Sequence, residues 1–392
     1  MDFRFSDEDV AFGREVAEFV DRELPWDWRT YHIEPEEPED RLLMRRFQKK
    51  LAERGWLTLG WPEECGGQGA SHIRQMVFNE ETAYRGVPAV EGLVAPILMT
   101  YGTDYQKEYF LPRIARAEIT WCQGYSEPDS GSDLASLQTR AVKDGDDFVV
   151  TGSKIWNGAH AGAEWMFMLV RTDLDAPKHR GISFLLMEMD LPGISIKSVP
   201  MMWGAHRALV TFDRVRVPKR NLVGELNRGW YLGAESLDIE RSGIGVPARG
   251  RRLLDELVKF CKDTVRNGRP LAEDPVIRSR LANMAVELET SRLVCYNVGW
   301  MQSRGVTPNK EASIAKLFGS EVTVRLLGLA MQLLGLYGQL EPDSKWAPLQ
   351  GRVENGYMRL AFGPIGAGTV GAGTSEIQRN IIATRGLGLP RG

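Results

Sequence analysis

Hydrophobic residues recur at helical spacing along roughly the first 120 residues. In SDEDVAFGREVAEFVDREL, the apolar residues Val16, Phe19 and Val20 fall on one face. Ser6 precedes this run at the position of an N-cap residue. A second stripe, in DRLLMRRFQKKLAERG, ends at Gly55, and HIRQMVFNEETAYRG and DYQKEYFLPRIARAE show the same pattern. We therefore expect this part of the chain to be helical.

The pattern changes to short β-rich runs between residues 121 and 226. These runs read FVVTGSKIW, WMFMLVRTD, GISFLLMEMD, GISIKSV and ALVTFDRVRVP, and the turn signal DGDD precedes the first of them. No helical pattern separates the runs. The spacing therefore predicts an antiparallel sheet or a small barrel, and it argues against β–α–β units.

Helical periodicity returns from Gly229 onward. The long segments are RGRRLLDELVKFCKDTVRNG, DPVIRSRLANMAVELETSRLVCYNVGWMQSRG and KEASIAKLFGSEVTVRLLGLAMQLLGLYG. The third is nearly apolar over LLGLAMQLLGLYG, which predicts burial between helices or against another subunit. The predicted order along the chain is helical, β, helical.

Composition indicates a globular protein that acts on small molecules. The 392 residues are 43% hydrophobic and 26% charged, and the net charge of −3 provides no general attraction to nucleic acid or anionic membranes. The four cysteines form no C-x-x-C pair, so we expect no disulfides and no metal site. The N-terminus lacks a secretory apolar region, and no window approaches about 18 apolar residues. A cytoplasmic location without a membrane span is expected.

The stretch GAGTVGAGTSEIQRN, residues 366–380, contains a G-x-G-x-x-G match at Gly366, Gly368 and Gly371. A dinucleotide fingerprint needs a β–α–β unit, and too few residues follow Gly371 to form one. The match is therefore not a Rossmann site. Its second half predicts a short helix capped by Thr374 or Ser375, with glycines that allow a ligand to approach the backbone. Taken alone, this second half is explained equally well by a glycine-rich turn before a surface helix, without any ligand.

Two polar stretches flank the start of the β region. In SEPDSGSD, residues 126–133, the backbone and hydroxyl groups are suitable donors to a phosphate. In GSKIWNG, Trp156 precedes Asn157 and Gly158, which suits a flat ring placed near exposed backbone donors. Taken singly, each stretch also fits ordinary turn residues and a core tryptophan.

Together these stretches make the chain resemble the acyl-CoA dehydrogenase family. The resemblance covers essentially the whole chain and includes QKEYFLPRIA, SEPDSGSD, GSKIW, TFDRVRVPKRNLVGELNRGW, QLLGLYG and GTSEIQR. It implies an α+β protein with an N-terminal helical domain at 1–120 and a middle antiparallel β-barrel-like domain at 121–226. A C-terminal four-helix bundle at 227–392 would complete the fold.

The resemblance also implies FAD as cofactor and oxidation of an acyl-CoA thioester to its 2-enoyl form. A base removes the α-proton while a hydride passes from the β-carbon to flavin N5. The positions that correspond to FAD-binding positions of the family, some of them across a dimer interface, are Tyr125, Ser126, Ser132, Trp156, Gly158, Gln332, Gly335, Thr374, Glu376 and Gln378.

The family places its catalytic base at one of two positions in the chain. Many family members carry a glutamate immediately before the Gly-Thr of the C-terminal motif, but here that residue is Ala372, which cannot accept a proton. A second subset carries the base on the first helix of the C-terminal bundle, before an arginine, and Glu240 precedes Arg241 here. The alternative to a catalytic role is that Glu240 and Arg241 are simply a solvated charged pair on a helix. The expected substrate-binding residues are Ser132, Asp238, Arg241, Ala372 and Gly373, with no metal.

Three departures from the family pattern leave other functions open. Gly158 stands where a threonine is usual, Leu336 where a glycine is common, and Arg266 and Arg269 lie out of register with the usual arginine. These changes suit enzymes for bulky or branched acyl chains, including steroid side chains. The expected partners are acyl-CoA, an electron-transfer flavoprotein and identical subunits in a dimer or tetramer. The alternatives are a subunit of a heteromeric dehydrogenase with a shared or lost FAD site, and a flavin-dependent monooxygenase.

Overall fold

The computed structural model describes residues 5–24, 38–87, 94–201, 206–239, 243–340 and 366–390. Its helices follow the predicted stripes at both ends of the chain. They are α1 (Asp7–Glu23), α2 (Pro38–Glu53), α3 (His72–Tyr84), α4 (Val94–Tyr101), α5 (Asp104–Ala115), α6 (Gly229–Ile239), α7 (Gly245–Asp263), α8 (Pro275–Ser303), α9 (Lys310–Leu334) and α10 (Ser375–Ile381).

The strands lie between α5 and α6, as the short β-rich runs predict. They are β1 (Trp121–Gly124), β2 (Arg140–Asp144), β3 (Asp147–Asn157), β4 (Trp165–Arg171), β5 (Ile182–Glu188), β6 (Ile194–Pro200), β7 (His206–Pro218) and β8 (Leu222–Val223). Their order is β6-β7-β3-β2-β4-β5-β8, with β1 paired to β4. Most neighbours are antiparallel, but β1–β4 and β2–β4 are parallel. Among the described residues this path does not close, so a barrel-like middle domain is not confirmed.

Both faces of the sheet are covered by apolar side chains. Along β4, Trp165, Phe167 and Leu169 pack with residues of α4, α5 and α6, while the alternate residues Met166 and Met168 pack on the opposite face. Because both faces are buried, β4 is an almost continuous hydrophobic run.

Helix α5 is fixed to the sheet region by one side chain, Gln106, which is fully buried. Its Nε2 donates to the carbonyl oxygens of Arg220 at 2.7 Å and Leu222 at 2.8 Å. Its Oε1 accepts from the Thr103 N–H and completes a capping box at the start of the helix.

Replacing Gln106 with Leu is expected to lower the free energy of unfolding by about 2–4 kcal/mol, because two part-buried carbonyls and the Thr103 N–H lose their partner. Chemical denaturation would measure the change. Gln68→Leu is the matched control, since the Gln68 amide donates to the Arg54 carbonyl at an exposed site. A loss for Gln106→Leu no larger than that of the control would contradict the assigned role.

The C-terminal helices form a second core. Leucines of α7, α8 and α9 pack together, and most apolar residues of α9 are buried. The segment Lys310–Gln339 is long and apolar enough to cross a membrane, but 56% of its most apolar window is buried within the structure, as in core helices of soluble proteins. The helices are confirmed, whereas a bundle of four is not.

One segment differs from the prediction. The helical pattern of RGRRLLDELVKFCKDTVRNG predicts a helix to its end, but α7 ends at Asp263. The residues that follow form a small hairpin of β9 (Val265–Arg266) and β10 (Arg269–Pro270). Asn267 and Gly268 have φ of 53° and 80°, so this Asn-Gly pair forms the tight turn that such a sequence favours.

The chain divides into two compact units by its internal contacts. The described parts of 1–34, 70–89 and 241–392 form one, called here the helical unit. The described parts of 35–69 and 90–240 form the other, called here the sheet unit. Within the helical unit α1 packs on α3, and α3 packs on α7 and α8.

Candidate active site

The loop at residues 125–133 of the sheet unit is tightly structured. Glu127 and Ser130 exchange two backbone hydrogen bonds, of 2.9 and 3.1 Å, which close a turn over Pro128 and Asp129. The buried Ser130 hydroxyl then donates to the Asp133 carbonyl at 2.9 Å. Ser132 lies beyond this turn and is exposed. The expected phosphate-binding loop therefore has a fixed backbone and an exposed hydroxyl at Ser132.

A buried ion pair joins this loop to strand β3. The Lys154 ammonium is 2.8 Å from Glu127 Oε1 and 3.0 Å from the Tyr125 carbonyl oxygen. The Glu127 carboxylate also accepts from the backbone N–H groups of Gln138 at 2.6 Å and Thr139 at 2.9 Å. The sequence analysis missed this pair.

The pKa values of both groups reflect this environment. Burial lowers the pKa of Lys154 to about 8, although the charge of Glu127 opposes the fall. Burial alone would raise the pKa of Glu127, but Lys154 and the backbone donor at Gln138 outweigh it and hold that pKa below its ordinary value. The 2.8 Å separation of Lys154 Nζ and Glu127 Oε1 is that of a directly bonded ion pair.

Trp156 is held in an unusual conformation next to the loop. Its φ is 66°, in the left-handed region that side-chain-bearing residues rarely adopt, and 53% of the residue is exposed. The β3–β7 register shifts between Ile155 and Asn157, which places Trp156 at a bulge. The Ile155 N–H donates to the Ser126 carbonyl at 2.9 Å, so the tryptophan and the loop are fixed together.

Two buried amide nitrogens close to these segments have no partner among the described residues. They are Nε2 of Gln123 on β1 and Nδ2 of Asn157 at the end of β3. Asn157 Oδ1 accepts from the Ala159 N–H at 3.1 Å, so only its nitrogen lacks a bond. Buried donors without acceptors are rare in native proteins and suit a site that receives a polar ligand. Gly158 follows and is exposed.

In the helical unit, the C-terminal motif forms a turn with a fixed backbone. Ala372 and Gly373 have φ of 53° and 85°. A Cβ on Gly373 would lie 2.7 Å from Gln378 Nε2, the movable end of a side chain, so it is mainly the φ of Gly373 that favours glycine there. Thr374 caps α10 by accepting from the Ile377 N–H, which confirms one of the two predicted caps.

Two side chains hold the carbonyls of this turn. Lys316 Nζ donates to the Gly373 carbonyl at 2.5 Å, and Gln378 Nε2 donates to the Ala372 carbonyl at 3.1 Å. Burial lowers the pKa of Lys316, while Glu376 and Glu321 oppose the shift. Glu376 itself is exposed. Gln378 therefore shapes the turn, and Lys316 is a further residue that the sequence analysis did not identify.

Gln332 and Gly335 lie far from this turn, at the other end of α9. The 16 residues from Lys316 to Gln332 span about 24 Å of helix at 1.5 Å per residue. Gln332 lines a groove of about 440 Å³ between α8 and α9, together with Arg280, Asn283 and Arg325. Its Oε1 accepts from Arg280 at 2.5 Å. Within one chain, the two groups of expected cofactor residues therefore cannot contact the same part of a ligand.

The side chains of three expected site residues lie outside the part of the chain that the structure describes. Glu240 and Arg241 lie outside the described residues. Asp238 belongs to α6, but its side chain is not described. In the parts of the chain that the structure describes, no group of three or more His, Cys, Asp or Glu residues is arranged to hold a metal ion.

The order of helices, sheet and helices, with these two turns, defines the class of protein. Three family models match in chain order: the N-terminal domain of acyl-CoA dehydrogenases at residues 6–118, the middle domain at 122–215 and the C-terminal domain at 227–387. The chain belongs to the acyl-CoA dehydrogenase family, whose members are FAD-dependent flavoproteins, and is an oxidoreductase that acts on acyl-CoA.

Individual relatives agree with this assignment. The chain is 39% identical over 353 residues to acyl-CoA dehydrogenase FadE26 of Mycobacterium tuberculosis, covering 87% of each chain. It matches the structure described as Tcur3481-Tcur3483 steroid ACAD with a TM-score of 0.89 and 34% identity, over 100% of both chains. The ChsE4-ChsE5 complex from Mycobacterium tuberculosis matches with a TM-score of 0.87 and 36% identity, again over 100% of both chains.

Proposed function

We propose that this protein oxidises an acyl-CoA thioester to the 2-enoyl-CoA with FAD as cofactor. The observation that carries the proposal is Trp156, an exposed and strained aromatic ring fixed beside the structured loop at 125–133. Residues held in such strained conformations cluster at active sites and ligand-binding sites. FAD bound there would accept the hydride that leaves the β-carbon of the substrate.

The residues of the sheet unit fit a flavin nucleotide. Trp156 offers a flat apolar face, the backbone at Tyr125 and Ser126 offers polar groups, and Ser132 offers an exposed hydroxyl for the pyrophosphate. The buried amide nitrogens of Gln123 and Asn157 lack acceptors, and a flavin ring has carbonyl oxygens on its polar edge. Gly158 leaves space beside the ring where the family commonly has a threonine.

In this proposal the proton is taken by Glu240. A carboxylate is the group suited to remove a weakly acidic α-proton beside a thioester, and Ala372 cannot do so. The Ala372 N–H is proposed to hydrogen-bond the thioester carbonyl and to stabilise the enolate oxygen. Lys316 and Gln378 support this role because they fix the carbonyls of the same turn. Asp238, Arg241 and Gly373 are proposed to contact the substrate.

The groove between α8 and α9 is proposed to hold the adenine end of an FAD molecule. Arg325 is neutralised by Glu287, with N–O distances of 2.9 and 2.5 Å. Arg280 is instead held by the neutral amide of Gln332, so its charge is available to a phosphate. Arg280 would then replace the arginine that Arg266 and Arg269 do not match.

Arg280→Ala is expected to weaken FAD binding by about tenfold or more, because a hydrogen bond from a charged group contributes about 1.5–3 kcal/mol. Calorimetric titration of the apoprotein with FAD and with ADP would measure the loss for each. Arg269→Ala is the control. Arg269 is an exposed arginine, but its guanidinium is paired with the Asp274 carboxylate at 3.7 Å. An equal loss in the control, or none for Arg280→Ala, would contradict the assignment.

The substrate is proposed to carry a bulky acyl group, of the steroid side-chain class. Support comes from the match to the steroid enzyme over the full length of both chains. A panel of short, long, branched and steroid-derived acyl-CoAs, titrated anaerobically while the flavin absorbance is followed, tests this proposal. Bleaching is expected to be strongest with the steroid-derived thioesters. An electron-transfer flavoprotein is the proposed acceptor of the electrons.

A second candidate is a subunit of a heteromeric dehydrogenase. The descriptions of both structural relatives above name two components. Purifying this chain alone would separate the two candidates. A yellow protein that acyl-CoA bleaches supports a self-sufficient enzyme, most simply a homodimer or homotetramer. A colourless protein that gains flavin only with a different partner chain supports the heteromeric form.

A further inference from the structure

The Lys154–Glu127 pair is buried more completely than the other ion pairs among the described residues. The side chains of Lys154 and Glu127 are 0% and 6% exposed, and the carboxylate accepts three hydrogen bonds. By comparison, the pair of Lys178 and Asp133 at the tip of the same loop is about half exposed. Removing two charges from water is costly, and an apolar pair of the same size would often be as stable.

The pair forms hydrogen bonds to the backbone that apolar side chains could not form. Lys154 lies two residues before Trp156 and donates to the carbonyl of Tyr125. Glu127 lies one residue after Ser126 and is bonded to the backbone at Gln138 and Thr139. The pair therefore joins the loop, strand β3 and the segment before β2 through directional bonds.

We propose that Lys154 and Glu127 are positioning residues that fix the backbone of Tyr125–Ser126 and the bulge at Trp156 in the geometry that receives the flavin. The proposal rests on the proposed FAD-dependent function. Neither side chain contacts the cofactor in this account. Each acts through the backbone that it holds, and the loop is thereby organised before any ligand arrives. Among neighbouring charges, Glu127 also acts on Arg171 of β4, whose pKa it raises against the larger effect of burial.

The direct test is hydrogen exchange in the FAD-free chain, comparing wild type with Lys154→Met and with the double variant Lys154→Met/Glu127→Gln. The double variant buries no charge, so its global stability is expected to approach that of wild type. Its methionine cannot donate to the Tyr125 carbonyl. Exchange at residues 125–139 and 153–158 is therefore expected to increase by about tenfold or more, with the rest of the sheet unchanged.

Flavin binding is the second readout, and it separates positioning from a purely structural role. The double variant is expected to bind FAD about tenfold more weakly or worse, and its bound flavin is expected to lose the vibronic shoulders of a shielded ring. Arg292→Met is the matched control. It removes the guanidinium 2.6 Å from the buried Glu80 carboxylate of the helical unit. It should lower stability and leave the flavin affinity and spectrum as in wild type.

The outcomes distinguish this proposal from the proposed function. Unchanged exchange at 125–139 in a folded double variant overturns the positioning role, whatever FAD does. Wild-type FAD affinity and spectrum in a variant with increased exchange also overturn it. If wild type itself binds no FAD, the proposed function fails, while the exchange experiment still decides whether the pair fixes the loop.

Discussion

Replacing Glu240 with Gln is expected to lower turnover about a thousandfold or more and to leave FAD bound. General bases contribute about 10²–10⁴-fold to enzymatic rates, and glutamine has nearly the same shape as glutamate but cannot accept the α-proton. The loss should appear in the rate of flavin reduction under anaerobic conditions, since that step contains the proton transfer. FAD content and the affinity for a product-like enoyl-CoA should be nearly those of wild type.

The matched control for this variant is Glu235→Gln, which removes the same charge five residues earlier in the chain. It should reduce flavin at close to the wild-type rate. Retention of near-normal flavin reduction in Glu240→Gln would exclude Glu240 as the base. An equal loss in both variants would indicate that the charge of this region matters and that proton transfer by Glu240 does not.

Replacing Trp156 with Gly is expected to weaken FAD binding by about 10–100-fold and to change the stability of the apoprotein little. Stacking of an aromatic side chain on a base-like ring contributes about 1–3 kcal/mol. Glycine relieves the left-handed strain, which costs on the order of 1–3 kcal/mol, and this offsets the lost packing of a ring that is already 53% exposed. Fluorescence titration with FAD and chemical denaturation would measure the two effects.

Tyr105→Ala is the control for Trp156→Gly, because Tyr105 is another partly exposed aromatic residue of the sheet unit, 40% exposed. Its loss should leave the FAD affinity as in wild type. Wild-type affinity in Trp156→Gly would contradict a stacking role. A large loss of apoprotein stability would instead show that the tryptophan serves the fold.

Much of the secondary structure was predictable because it follows local rules. The strands coincide with the short β-rich runs, and Ser6 and Thr374 carry the side chains that caps require. The hairpin after α7 was missed because the amphipathic pattern before it outweighed the Asn267-Gly268 turn signal. The parallel pairing of β1 with β4 joins residues 44 positions apart, such as Trp121 and Trp165, and no local pattern encodes it.

The candidate site was predictable where it follows family motifs, but its supporting contacts were not. The alternation in β3 places Lys154 on the buried face of Phe148 and Val150, a signal that the sequence analysis did not use. Its partner Glu127 lies 27 residues earlier, and only the folded sheet brings the two together. The same holds for Arg280 and Gln332, which are 52 residues apart on neighbouring helices.

Anaerobic reduction of the flavin by acyl-CoA tests the central claim most directly. The purified protein, with FAD bound, would be mixed with a steroid-derived acyl-CoA while the flavin absorbance is recorded, in wild type and in Glu240→Gln. Rapid bleaching with formation of the 2-enoyl-CoA is expected in wild type, and binding without bleaching in the variant. A wild-type flavin that no acyl-CoA of the panel reduces, or a variant that bleaches at the wild-type rate, would contradict it.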